Sequence, residues 1–171
     1  SGNKMEYINI SHKREYEYKI HAVSSEQHES YSVFNVQREK GHWSSRKSDE
    51  NMQEYIILDF QSAVTIDFIE MTASPGGARN FPHDFRFEGS LDNSSWMVIH
   101  TEKKLELDDA PYRLDIPLTL VRYLKILIIS SHLQEGKYYS EIGRIRAGVA
   151  GICGLLAILA SRPSDGWLLW L

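Results

Sequence analysis

The sequence runs to 171 residues, 42% hydrophobic and 25% charged, the composition of an ordinary globular chain long enough to bury one core. A net charge of −4 gives no concentrated basic face and so excludes the usual electrostatics of nucleic-acid binding. Cys153 is the single cysteine, which excludes an intrachain disulfide, and Ser1 to Tyr7 lacks the apolar core of a signal peptide.

Strand-like runs dominate as far as Arg146. Tyr16-Glu17-Tyr18-Lys19-Ile20-His21-Ala22-Val23 alternates bulky apolar with polar residues, the period-two pattern of a half-buried strand. Glu54-Tyr55-Ile56-Ile57-Leu58-Asp59-Phe60 is rich in β-branched and aromatic residues, and Val64-Thr65-Ile66-Asp67-Phe68-Ile69-Glu70-Met71 alternates clearly. Segments 85–90 and 96–100 flank Leu91-Asp92-Asn93-Ser94-Ser95, a turn with Asx chemistry, and so predict a hairpin. Alternation returns at 112–116. The run 121–129 ends in continuous apolar residues, as a central strand would, and 142–146 closes the series. No amphipathic helix interrupts these segments, so the expected fold is all-β, a sandwich or barrel. Trp43, Tyr55, Phe60, Phe87 and Trp96 are the expected core aromatics.

After Arg146 the composition changes. Ala147 to Ser161 carries no charge, and the chain finishes Trp167-Leu168-Leu169-Trp170-Leu171. This apolar run of about 15 residues is short of the roughly 18–20 that a membrane span needs, so any membrane contact is expected through this tail alone. The expected organisation is an N-terminal extension over 1–14, a β-sandwich over 15–148 and a hydrophobic tail over 149–171, read either as packed on the sandwich or as foreign to the domain.

The order of motifs resembles the coagulation factor 5/8 type C, or discoidin, domain family. Ala22-Val23-Ser24-Ser25-Glu26 is similar to the family's first strand, and Phe34-Asn35 followed by Gly41-His42-Trp43-Ser44-Ser45 resembles its Asn-to-Trp-Ser segment. Segment 54–60 looks like its aromatic-Ile-x-Ile-Asp-Leu strand. Phe85-Arg86-Phe87-Glu88-Gly89-Ser90-Leu91-Asp92-Asn93-Ser94-Ser95-Trp96 is similar to its most recognisable hairpin. Val121-Arg122-Tyr123-Leu124-Lys125-Ile126 and Glu141-Ile142-Gly143-Arg144-Ile145 match its later strands. The resemblance implies a jelly-roll β-sandwich of about eight antiparallel strands, of the galactose-binding type. Asp59 and Arg122 are expected as structural polar partners.

Catalytic spacings are missing from the sequence. It has no Gly-x-Ser-x-Gly, no His-Glu-x-x-His, no phosphate loop and no paired-cysteine metal site, so the expectation is a binding module and not an enzyme. In a sandwich the end loops carry recognition, and four connections bear suitable residues, at 25–31, 44–52, 74–83 and 132–139. A sugar needs planar hydrogen-bonding groups for its hydroxyls and an aromatic face for its C–H side. Glu26, Arg79, Asn80, Phe81 and Tyr138 are the candidate ligand contacts. In the carbohydrate-binding branch of the family, Glu26 matches a ligand-contacting acid, and Arg79 falls in the loop that supplies an arginine.

Two departures from the family pattern stand out. Ser44 and Lys47 stand where that branch usually has a histidine and a second aromatic, so galactose recognition in its usual form is not implied. Arg38-Glu39-Lys40 replaces the Asp-Gly-Asp that supplies calcium ligands in many members, and two cations there would repel the ion. No metal and no cofactor are therefore expected, although Glu141 stands near a position that sometimes helps ligate calcium. The expected partner is a glycan or other small polar ligand, within a larger cell-surface or secreted protein. A protein partner in an intracellular adaptor is the alternative, and membrane-lipid contact through Met52, Phe81 and Leu133 the third.

Overall fold

A computed structural model describes residues 13–108 and 110–151, so segment 1–12 and most of the apolar tail, Cys153 included, lie outside the described residues. The strands in chain order are β1 (Arg14–Glu15), β2 (Lys19–Val23), β3 (Trp43–Ser44), β4 (Glu54–Met71), β5 (Asp84–Ser90) and β6 (Met97–Glu102). They continue with β7 (Tyr112–Ser130), β8 (His132–Gln134), β9 (Lys137–Tyr139), β10 (Glu141–Ile142) and β11 (Ile145–Val149). Two single 3-10 turns, Glu29–Tyr31 and Val33–Gln37, lie between β2 and β3.

Where the sequence suggests four strands, the chain forms two long ones. β4 and β7 pair antiparallel from Glu54↔Ile128 to Met71↔Tyr112, and the register breaks between Asp59↔Tyr123 and Val64↔Val121. At that break Gln61 takes a left-handed φ of 70°, and its N–H donates to Asp59 Oδ1 at 2.7 Å. Arg122 Nε donates to the same carboxylate oxygen at 3.1 Å, the structural pairing expected for these two residues. Short polar residues here bend one ribbon without ending it.

The bend turns the ribbon into two layers. Its first half pairs with β2 on one side and, through β7, with β5 and then β6. Its second half pairs with β11, which pairs with β1. The layers meet across the core. Tyr112, at the start of β7, packs edge-on against Phe85 of β5 at 5.3 Å, and the Tyr18 hydroxyl donates to the Ile145 carbonyl at 2.6 Å. Ile56, Leu58, Ile66, Ile69, Phe87, Leu124 and Ile126 fill the space between and have no exposed surface. The outcome is the expected antiparallel β-sandwich. Because the ribbon folds over, both its ends return to one end of the molecule. Connections 24–53, 72–83, 103–111 and 131–144 are therefore neighbours.

Two of the expected core aromatics stand elsewhere. Trp43, Phe60 and Phe87 are buried, but Tyr55 is 37% exposed because Glu54, not Tyr55, takes the inward side of the alternation. Trp96 is half-buried at the sheet surface, where the Lys125 ammonium sits 4.0 Å from its ring.

Candidate functional site

The loop end rests on a hydrogen-bonded floor. Trp43, fully buried on β3, donates its indole N–H to the Ser25 carbonyl at 2.9 Å and so anchors the loop after β2. Glu54 is 3% exposed, and its carboxylate accepts from the hydroxyls of Ser24 and Ser25 and from Arg46 Nε at 3.2 Å. A buried carboxylate is tolerable only with such partners. Ser45 and Ser140 exchange contacts, and the Ser131 N–H donates to Asn51 Oδ1 at 2.9 Å, so the second and last loops are tied to each other.

On this floor stands a polar chain drawn from four segments. The Asn80 amide nitrogen donates to Glu141 Oε1 at 2.8 Å and to the Tyr139 hydroxyl at 3.2 Å. The other oxygen of Glu141 lies 3.1 Å from His42 Nε2, and Tyr31 stacks on the His42 ring at 4.7 Å. The Glu141 N–H donates back to the Asn80 carbonyl at 2.8 Å. The Lys47 ammonium lies 4.8 Å from the centre of the Tyr139 ring. Asn80 Oδ1 is buried without a partner among the described residues, an acceptor that a bound water or hydroxyl would satisfy.

The five candidate contacts separate into two kinds. Arg79 is exposed and makes no ion pair or hydrogen bond among the described residues; Tyr138 is half-buried and bridged through its backbone to Ser48. Glu26 is exposed, with one carboxylate oxygen accepting the Val33 N–H at 2.6 Å, so it also caps a 3-10 turn. Asn80 and Phe81, by contrast, are 5% and 2% exposed. Phe81 packs on Phe85 and Tyr112 in the core, and offers no ring face to a ligand or a membrane. The 74–83 loop turns inward at its later part, which buries Asn80, Phe81 and Pro82 while Pro75, Gly76 and Arg79 stay exposed. His42, Tyr31 and Tyr139 are members of the cluster that sequence reasoning missed.

A second histidine group sits nearby. His83 and His132 rings lie 4.1 Å apart, and His83 Nε2 is 3.0 Å from Asp84 Oδ2. The Ser130 hydroxyl, together with the Lys104 N–H, holds Asp84 below the usual carboxylate range, while burial and then His83 push His132 below the usual histidine value. Residues 72–77 and Pro111 line a recess of about 450 Å³ at the same end.

The donor set does not suit calcium. Both oxygens of Glu141 are already engaged by His42 and Asn80, and the three residues after Gln37 include two cations.

Bent-ribbon layers and loops gathered at one end define a jelly-roll β-sandwich that carries its polar groups on a loop cluster. The sequence profile of the F5/8 type C domain matches residues 19–142, and the chain belongs to that family. No curated protein sequence matches it. Among solved structures it is similar to CBM32-3 from a family 31 glycoside hydrolase of Clostridium perfringens, with 16% identity and a TM-score of 0.68 over 77% of this chain and 90% of that one. It is similar to another C. perfringens module, a CBM32-5 in complex with GalNAc-β-1,3-galactose, with 13% identity and a TM-score of 0.64 over 77% and 95%. The C-terminal domain of a chitobiase from Bacteroides fragilis is also similar, with 20% identity and a TM-score of 0.64 over 80% and 96%. These likenesses establish the fold.

Proposed function

We propose that the chain is a non-catalytic glycan-binding module, carried by a larger cell-surface or secreted protein, whose contacts lie on the gathered loops. One observation carries the reading. Arg79, exposed and without an ion pair among the described residues, directly precedes Asn80 in the chain, and Asn80 belongs to a prearranged polar cluster with Tyr139, Glu141 and His42; the partly exposed aromatics Tyr31 and Tyr138 stand at the same end. Fixed planar donors and acceptors suit vicinal hydroxyls, and an aromatic edge suits the apolar side of a sugar ring. Arg79, Tyr138 and Glu26 are the contacting residues in this reading, with Asn80 and Glu141 positioning the loops. The likeness to modules described as carbohydrate-binding supports it.

The test is a glycan array on the chain with Arg79→Ala beside it. A hit that disappears in the variant, with melting unchanged, supports the reading. A blank array from folded protein removes it.

Protein binding is a second reading, favoured by an exposed apolar group at the opposite end. Leu91, Met97, Val98 and Leu120 are each more than half exposed, and Leu91, Met97 and Leu120 line a recess of about 300 Å³. Met97→Ser with Leu120→Ser abolishes partner capture in this reading and leaves glycan binding intact.

A further inference from the structure

We propose that the apolar tail after Gly151 docks on its own sandwich, at the end where the ribbon bends, with Leu91, Met97, Val98, Leu118 and Leu120 as its seat. All five side chains are exposed. Grouped exposed apolar side chains of this kind mark a surface that something covers. The path of the chain says what covers this one. β4 lies between β11 and β7 in the second layer, and β11 runs toward the bend. Gly148 stands opposite Phe68, and the Ala150 N–H donates to Asp67 Oδ1 at 2.7 Å. Two residues further along β4, Thr65 is exposed and stands directly opposite Leu120 of β7. Two strand spacings and one or two residues of rise separate Ala150 from Leu120, about 10–12 Å.

About four extended residues cover that distance, so residues 152–171, which lie outside the described residues, are long enough to reach the group. Their composition suits it. Ile152-Cys153-Gly154-Leu155-Leu156-Ala157-Ile158-Leu159-Ala160 carries no charge, and Trp167-Leu168-Leu169-Trp170-Leu171 follows a short polar turn. A membrane is the poorer home for this run. Its first residues, Ala147, Gly148 and Val149, are taken up in β11. What is left, Ile152 to Ala160, would reach only about 14 Å even as a helix, less than half of a bilayer core of roughly 30 Å. A free partner is also a poorer fit, because five side chains are far fewer than the roughly 20–30 residues a side of a standard interface. A tethered segment, held at an effective concentration of about a millimolar or more, needs no such area. The partner of the second reading would have to displace it.

Cys153 is the single cysteine, so the tail carries a probe site of its own. The experiment couples benzophenone maleimide to Cys153 of the full chain, irradiates it in dilute solution and maps the cross-links by mass spectrometry. Cross-links within one chain to Leu91, Met97, Val98, Leu118 or Leu120 are expected. They are lost in Met97→Asp with Leu120→Asp, and acrylamide then quenches Trp167 and Trp170 more strongly than in wild type. A probe at Leu168→Cys in a Cys153→Ser background repeats the mapping on the unaltered surface, so the result holds even where the double variant fails to fold. Cross-links confined to other parts of the sandwich, or none within the chain, overturn the proposal. Cross-links that join two chains overturn it in favour of a second copy. Co-flotation of the chain with phosphatidylcholine vesicles, with the probe attached to lipid, overturns it in favour of a membrane. Cross-links that survive the double substitution in a folded variant overturn the assigned seat.

Discussion

His42 Nε2 and Glu141 Oε2 lie 3.1 Å apart, and through this contact the loop before β3 is fastened to β10. The contact matters beyond its own strength because Glu141 also holds Asn80, and Tyr31 stacks on His42. Three connections that share no local sequence are thereby fixed relative to one another. Pre-ordering of this kind lowers the cost of arranging loops around a ligand.

Glu141→Ala removes that link. It leaves the Asn80 amide and the His42 ring without their shared acceptor, at a cost of about 1–3 kcal/mol. At about 2–4 °C per kcal/mol for a chain of this size, the melting temperature falls by several degrees. Saccharide affinity falls too, although Glu141 touches no ligand in the proposed arrangement. A variant that melts lower yet binds unchanged would remove Glu141 from its positioning role.

Two glycines are set by space and not by backbone angle. A Cβ on Gly143 would stand 2.3 Å from the Ala73 carbonyl oxygen, and one on Gly148 would stand 2.0 Å from that of Arg14. Backbone cannot yield as a side chain does. Gly143→Ala disturbs the Gly143–Thr72 hydrogen bond beside the site and costs about 1–3 kcal/mol or more. Gly148→Ala pushes β1 from β11 and frees the chain near Arg14, which limited proteolysis detects as a new cut ahead of β2. Wild-type melting in both variants would count against the packing described.

Much of the fold is legible in the sequence because alternation and turn chemistry are local. Segments 85–90 and 96–100 read as a hairpin, and β5 and β6 form it. Strand continuity is less legible. Gln61-Ser62-Ala63 and Pro117-Leu118-Thr119 look like breaks, yet each is a bend inside a paired ribbon. Alternation also leaves open which face is inner. Tyr55 was the natural choice for the core, but Glu54 occupies the inward side because Ser24, Ser25 and Arg46 satisfy its carboxylate there. The site is the least legible part. Phe81 sits in a segment with every mark of an exposed loop, and its burial depends on how that loop folds over the sandwich. The meeting of His42 with Glu141 depends on the register of β3 with β10, and no local pattern encodes it.

Stability declines on the acid side, and the sign follows from two groups. His132 is held below its usual 6.5 in the folded chain, first by burial and then by His83. Unfolded chains therefore take up more protons at this residue as pH falls below 6.5, and the equilibrium shifts toward unfolding. Asp84 is held below 3.8, so its contribution persists until the pH falls further and is lost last. The urea midpoint is expected to drop between about pH 7 and about pH 5, and His132→Gln to flatten that part of the curve. An unchanged slope in the variant would place the acid sensitivity elsewhere.

Phe81 and Tyr138 divide stability from recognition. Phe81 is 2% exposed and packs on Phe85 and Tyr112, so Phe81→Ala opens a cavity between the layers and costs about 3–5 kcal/mol. Its effect on binding should track the folded fraction and vanish at low temperature, where the variant is still folded. Tyr138 is half-buried on β9, and its link to Ser48 runs through the backbone, so Tyr138→Ala keeps that link. Its melting temperature should stay within about 2 °C of wild type, given the small effect of most surface substitutions. If Tyr138 supplies the apolar face for a sugar ring, its removal weakens saccharide binding by about 1–2 kcal/mol with stability nearly unchanged. Titration of both variants beside their melting curves separates the two effects. Full binding by Tyr138→Ala would shift the aromatic role to Tyr31, whose ring lies against His42 at the same end of the sandwich.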